Sequence, residues 1–258
     1  MPLEETKLQS ATCRILIVEN CDDMPGLSAE LRQLGHDVIV VAKRTEAMAR
    51  KDLMKFDLLV SDLVNGTRPS EEKETVKSFK VAVSSNAARR AIPALHQIIE
   101  RTLSFKLRCI DSSGTNSQVR EKIDLELPSD LTLMNSVLEY LLDRVEKLGL
   151  VEVEQSNLFV ALDEAFVNAV KHGNRNNPEK LLRVTAELSA REAIFTVEDE
   201  GDGFDVREIP DPTDPANLFK SSGRGVLLIY NIMDEVEYSQ GGAKLKMVKR
   251  PQNGTSLG

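Results

Sequence analysis

Three classes of feature are scarce in this 258-residue chain, and each scarcity excludes something. Cysteine occurs only three times, at Cys13, Cys21 and Cys109, an odd number without metal-ligand spacing. That excludes a disulfide framework or a zinc cluster and predicts reduced thiols in a cytoplasmic protein. No apolar run approaches the roughly 20 residues that span a bilayer. The first ten residues, MPLEETKLQS, lack the hydrophobic centre of a signal peptide. Positive charge is also in deficit. A net charge of -8 argues against a general nucleic-acid or membrane-surface binder. Internal repeats are absent as well.

What is present divides into two halves. The stretch DSSGTNSQVREK, Asp111 to Lys122, is polar and without hydrophobic periodicity. It places a domain boundary there, with a linker over 109–120 between domains at 11–108 and 121–250.

The first half alternates strand and helix patterns. CRILIVEN, DVIVVA, FDLLVSDL and FKVAVSS predict strands, and GLSAELRQLGH, RTEAMARKDLMK and NAARRAIPALHQIIERTL predict helices, the last kinked or started near Pro93. Repeated βα units predict a parallel sheet with helices on its faces and its chemistry at the carboxyl ends of the strands. Acids stand at two of those ends: Glu19 with Asp22 and Asp23, and Asp62.

This layout resembles the flavodoxin-like receiver domain of two-component signalling. The resemblance implies a metal site at Glu19 and Asp22, a phosphoacceptor at Asp62, a strand-four hydroxyl at Ser84 and a lysine at Lys106. It also implies an upstream histidine kinase as donor in a phosphorelay. Asn20 stands where the family's second acid would be, so Asp22 or Asp23 would have to substitute. A degenerate, interaction-only receiver is the competing reading.

The second half changes character. KIDLELPSDLTLMNSVLEYLLDRVEKLGL opens with alternating Ile123, Leu125 and Leu127. Pro128 breaks that strand, and Ser129 or Asp130 supplies an N-cap for a long amphipathic helix. EQSNLFVALDEAFVNAVKHGN predicts a second helix, and LLRVTAELS and REAIFTVED predict strands. GRGVLLIYNIM predicts a further helix, followed by a hairpin over EVEYSQGGAKLKMVKR. Helices and antiparallel strands are segregated, which predicts an α+β sandwich.

Three motifs carry chemistry. Glu164 and Asn168 are four apart on the second helix and share one side of it. Taken alone the pair fits a solvated face. Beside an apolar wall it also fits a pocket rim, the amide oxygen suiting magnesium and the carboxylate a proton. Asp199 ends a strand, with Gly201 and Gly203 following as D-x-G-x-G. A carboxylate there can accept a hydrogen bond from an exocyclic amine, while a tight turn is the plainer alternative. Gly223, Arg224 and Gly225 introduce a helix whose free amides favour anions. The preceding PDPTDPANLFKSS has the composition of a mobile lid.

The ordered set resembles the GHKL ATP-binding superfamily over Lys122 to Arg250. In detail it is similar to the anti-sigma-factor serine kinases of bacterial partner-switching systems. The resemblance implies a serine/threonine protein kinase using ATP and magnesium. Glu164 would be the general base, Asn168 the magnesium ligand and Asp199 the adenine contact. Gly201 and Gly203 would shape the base pocket, and Gly223, Arg224 and Gly225 would meet the phosphates. The implied partners are a STAS-type anti-anti-sigma protein, a sigma factor and a second copy in a homodimer, with no direct nucleic acid or membrane contact. A non-catalytic, ATP-dependent partner-binding regulator is the alternative. A DNA-binding response regulator lacks both a helix-turn-helix candidate and a basic stripe.

Overall fold

The computed structural model describes residues 12–18, 25–63, 75–84, 87, 94–111, 119–151, 157–203 and 224–251. Three parallel strands begin the chain: β1 (Arg14–Val18), β2 (Asp37–Val41) and β3 (Leu58–Leu63). Helix α1 (Pro25–Gln33) joins the first two, and α2 (Arg44–Met48) precedes β3. Both β2 and β3 pair with β1 in parallel register, as the βα punctuation predicts.

The parallel arrangement ends at β3. The fourth strand, β4 (Thr75–Val83), runs antiparallel to it, with Asp62 opposite Phe79. This corrects the all-parallel, flavodoxin-like sheet expected for the first half. The connection, residues 64–74, is shorter than the roughly twelve residues that a parallel crossover requires, so the chain returns in the opposite direction. Glu19, Asp22 and Asp23 lie outside the described residues, and Asp62 occupies the penultimate position of β3. Lys106 is not at a strand end. It sits inside α3 (Ala94–Asp111), buried, with its ammonium 5.7 Å from the centre of the Phe79 ring. The Ser84 hydroxyl accepts from the amide of Ala87, closing a turn after β4.

The sheet does not break at 109–120. Strand β5 (Val119–Pro128) pairs in parallel with β4 from Thr75 against Val119 to Ala82 against Glu126. Beyond it stand β6 (Leu181–Leu188), β7 (Ala193–Glu198), β9 (Lys244–Lys249) and β8 (Glu235–Ser239), all antiparallel. One nine-stranded sheet in the order β2-β1-β3-β4-β5-β6-β7-β9-β8 therefore carries both halves.

Among the described residues of the second half stand the helices α4 (Leu131–Lys147), α5 (Leu158–Val167) and α6 (Arg224–Ile232). Asp130 is the N-cap of α4, its carboxylate accepting from the Thr132 amide at 2.8 Å. Inward residues of β5, β6 and β7 pack with Leu133, Val137 and Leu141 of α4 and Leu162 and Phe166 of α5. Burial alternates along β6 and β7, as a sheet with one covered face requires. A smaller cluster, Leu16, Val18, Val41, Ala47 and Phe56, packs under α2.

Two features tie α3 and α4 to the sheet's centre. The Glu121 and Arg144 side chains, both almost wholly buried, meet with Arg144 Nε donating to Glu121 Oε2 at 2.9 Å. His96 Nε2 lies 3.0 Å from Asp130 Oδ2, so α3 of the first half touches the cap of α4. Among the described residues no helix is long and apolar enough to cross a membrane.

Candidate nucleotide site

Helix α5 buries Leu158, Ala161, Leu162, Ala165 and Phe166, which leaves Glu164 and Asn168 half-buried along its edge. At Asn168 the helix widens into a π-helical turn that runs to Gly173 and closes when the Asn174 amide donates to the Ala169 carbonyl at 2.7 Å. Such turns are concentrated at functional sites. The first turn of α6 packs here with no side chain between. A β-carbon at Gly225 would overlap the carboxylate of Glu164 and stand 3.6 Å from Asn168 Nδ2. Glycine at 225 therefore allows the helix entry to approach the acid of α5 directly.

Asp199 follows β7, held by its amide donating to the Ala243 carbonyl at 3.0 Å. Its Oδ1 accepts from the Gly201 amide at 2.7 Å, and its carboxylate lies against Gly173. Burial pushes the Asp199 carboxyl above the ordinary aspartate range; the Gly201 amide and the charge of Lys180 oppose this, and neighbouring Glu198 adds to it. Gly201 packs on the Gly173 carbonyl. Gly203, at φ 72°, sits against the Gly241 carbonyl in a conformation that side chains rarely adopt.

These groups line one cavity of about 550 Å³. Glu164, Asn168, Asp199, Gly203 and Gly225 all reach it, together with His172, Gly173, Val197, Tyr238 and Leu245. The walls are mostly apolar with few polar groups, as small-molecule sites are. Burial also raises the Tyr238 hydroxyl pKa, with Tyr230 adding to it, so the phenol stays protonated.

The structure thus brings together Glu164, Asn168, Asp199, Gly203 and Gly225, with Gly201 immediately behind Asp199. Gly223 lies outside the described residues, as does the lid-like stretch 210–222. Arg224 is the first residue of α6.

Residues 127–249 match the histidine kinase-like ATPase domain family. This ATPase-like region also resembles curated relatives. The serine-protein kinase RsbW of Staphylococcus epidermidis is 29% identical over 106 residues, covering 38% of this chain and 65% of that protein. RsbW of Staphylococcus aureus strain MSSA476 is 30% identical over 98 residues, covering 35% of this chain and 62% of that protein. The chain thus spans a little under two thirds of the length of either relative.

Sequence patterning missed several supports of the ATPase-like site. Asn174 is fully buried and makes three hydrogen bonds through its carboxamide. The acids around Asp199 are also partnered. Glu198 pairs with Lys244 at 3.1 Å and Arg183 at 3.6 Å. Glu200 accepts from the Leu181 amide at 3.0 Å and meets Arg183 at 3.2 Å. Asp202 meets Arg175 at 3.0 Å. The crowding of negative charge in VEDEGDG is relieved by cations from β6, β9 and the loop after α5.

Proposed function

We propose that this chain is an ATP-binding serine/threonine protein kinase of the anti-sigma-factor type. It phosphorylates a STAS-type anti-anti-sigma protein, binds a sigma factor as a further partner, and acts in the cytoplasm as a homodimer. The observation that supports this best is the seating of the Glu164 carboxylate against the α6 entry at Gly225, within the cavity that Asp199 also lines. A site for nucleotide binding alone has no use for a half-buried carboxylate at the phosphate end.

On this reading Asp199 accepts from the adenine amine, and the amides at the start of α6 face the phosphates, favoured by the helix dipole. Glu164 takes the proton of the partner's serine hydroxyl as its oxygen attacks the γ-phosphorus, while the bond from that phosphorus to the β–γ bridging oxygen breaks and ADP leaves. The described residues contain no group of three or more His, Cys, Asp or Glu able to hold a metal. The Asn168 carboxamide at the cavity fits a magnesium ion that would draw its other ligands from phosphates and water. Bound with the nucleotide, magnesium would neutralise charge on the transferring phosphoryl group.

The first half, over 11–108, is proposed as the regulatory input. Whether it takes phosphate at Asp62 from a histidine kinase is tested by acetyl phosphate labelling of the wild type and Asp62→Asn.

Calorimetric titration of magnesium and ATP into the wild type and Asp199→Asn tests the pocket. Binding by the wild type, lost in the variant, is expected; equal affinity in the two sinks the adenine assignment. Glu164→Ala should keep affinity and lose phosphate transfer to the STAS partner. Transfer that survives removes Glu164 as the base.

A further inference from the structure

Asn174 is fully buried, and polar side chains so placed normally spend every bond they can make. Its Nδ2 donates to the Ser129 hydroxyl at 3.2 Å and to the Leu181 carbonyl at 3.0 Å. Its Oδ1 accepts from the Glu200 amide at 2.8 Å. One carboxamide therefore joins three separate chain segments: the turn before α4, the start of β6 and the turn that carries Asp199. Its own backbone closes the π-helical turn, and its neighbour Gly173 forms the surface on which the Asp199 carboxylate rests.

We infer that Asn174 is a positioning residue for base recognition: it fixes the height and orientation of Asp199 in the cavity. The inference rests on the nucleotide reading above and adds what sets its selectivity. Asn174 does not itself line the cavity. It acts on Asp199 through the Glu200 amide on one side and Gly173 on the other. Three bonds of different direction leave that turn one position, and a carboxylate reading an amine needs one.

The same carboxamide extends the site's support to the first half. Ser129 precedes Asp130, whose carboxylate caps α4 and meets His96 of α3. His96, the Asp130–Ser129 backbone and Asn174 thus form a continuous series of contacts from α3 to the Asp199 turn.

The test compares affinity for magnesium-ATP with that for magnesium-inosine triphosphate, which lacks the exocyclic amine, in full-length wild type, Asn174→Ala and Ser129→Ala. A merely structural role lowers the competent fraction and weakens both nucleotides by the same factor, leaving their ratio unchanged. Loss of positioning weakens ATP selectively. In Asn174→Ala the ATP preference should fall roughly tenfold, the worth of about one hydrogen bond. In Ser129→Ala, which spares the other two bonds, it should fall about two- to threefold by the same reasoning.

Circular dichroism establishes that each variant is folded. If Asn174→Ala does not fold, the Ser129→Ala ratio decides. A preference unchanged from wild type in the folded variants overturns the inference while the nucleotide reading stands. A wild type that binds neither nucleotide overturns the nucleotide reading, one that binds both equally overturns the adenine assignment, and either takes the inference with it.

Discussion

Gly173 and Asp199 meet with no room for a β-carbon between them. The end of the π-helical turn after α5 and the end of β7 are thereby locked together at the floor of the cavity. Gly173→Ala should displace the Asp199 carboxylate and cost about 1–3 kcal/mol of stability by overpacking. ATP affinity should fall at least tenfold while far-ultraviolet dichroism keeps its native shape. Titration calorimetry with denaturant unfolding checks both. Wild-type affinity in the variant would show that the Asp199 position is not critical.

The raised pKa of Asp199 has a definite sign. Between the ordinary aspartate value and the raised one, the native carboxyl keeps a proton that the unfolded chain releases. Stability therefore falls as pH rises through that window, and the full cost persists above it. Asp199→Asn should raise the melting temperature at pH 7 and change it little at pH 3. On the proposed reading the adenine amine is bound by the Asp199 carboxylate, so wild-type ATP affinity should weaken at acidic pH, beginning above the ordinary aspartate range. Melting curves across pH, with titrations on the wild type, examine the two halves of this prediction separately.

The buried Glu121–Arg144 pair makes a different forecast. Removing one partner strands a charge in the core, which typically costs about 3–5 kcal/mol. Arg144→Met alone should destabilise by about that much, whereas Glu121→Leu with Arg144→Met should recover most of the loss. A double-mutant cycle by urea unfolding measures the coupling; additive losses would mean the pair is not the interaction that matters.

His36 is buried beside β1, its Nδ1 accepting from the Cys13 amide at 3.4 Å. Burial holds its pKa below the ordinary histidine value of 6.5. The unfolded chain thus protonates first, so this contribution is complete above that value and is lost as pH falls through it toward the folded pKa. His36→Gln should flatten the wild-type decline in melting temperature between pH 7.5 and 5. Equal slopes would assign that decline to other groups.

The second half was largely legible because its periods are clean. Ile123, Leu125 and Leu127 alternate as a covered strand does, and Leu158, Leu162 and Phe166 repeat as a helix face does. The E-x-x-x-N and D-x-G-x-G spacings pointed to one cavity because the glycines needed for close approach are visible as letters. Strand direction is a different matter. FKVAVSS has the same period whichever way it runs, and only the length of the connection after β3 bears on it. Asn174 was hidden for a related reason: in NRNNP a buried, three-bonded asparagine reads like its solvated neighbours. The partners of Glu198 and Glu200 are hidden too, because Arg183 and Lys244 reach them across strands, at separations that no local pattern reveals.

The pairing of β4 with β5 bears on how the protein can be handled. A fragment beginning near Val119 would carry the whole ATPase-like region yet leave the β4-facing side of β5 without its hydrogen-bonding neighbour. An uncovered strand of that kind is a template for association with other chains. Preparations cut between the halves should therefore self-associate, and a molecule divided for convenience would report on an edge that the intact chain keeps covered.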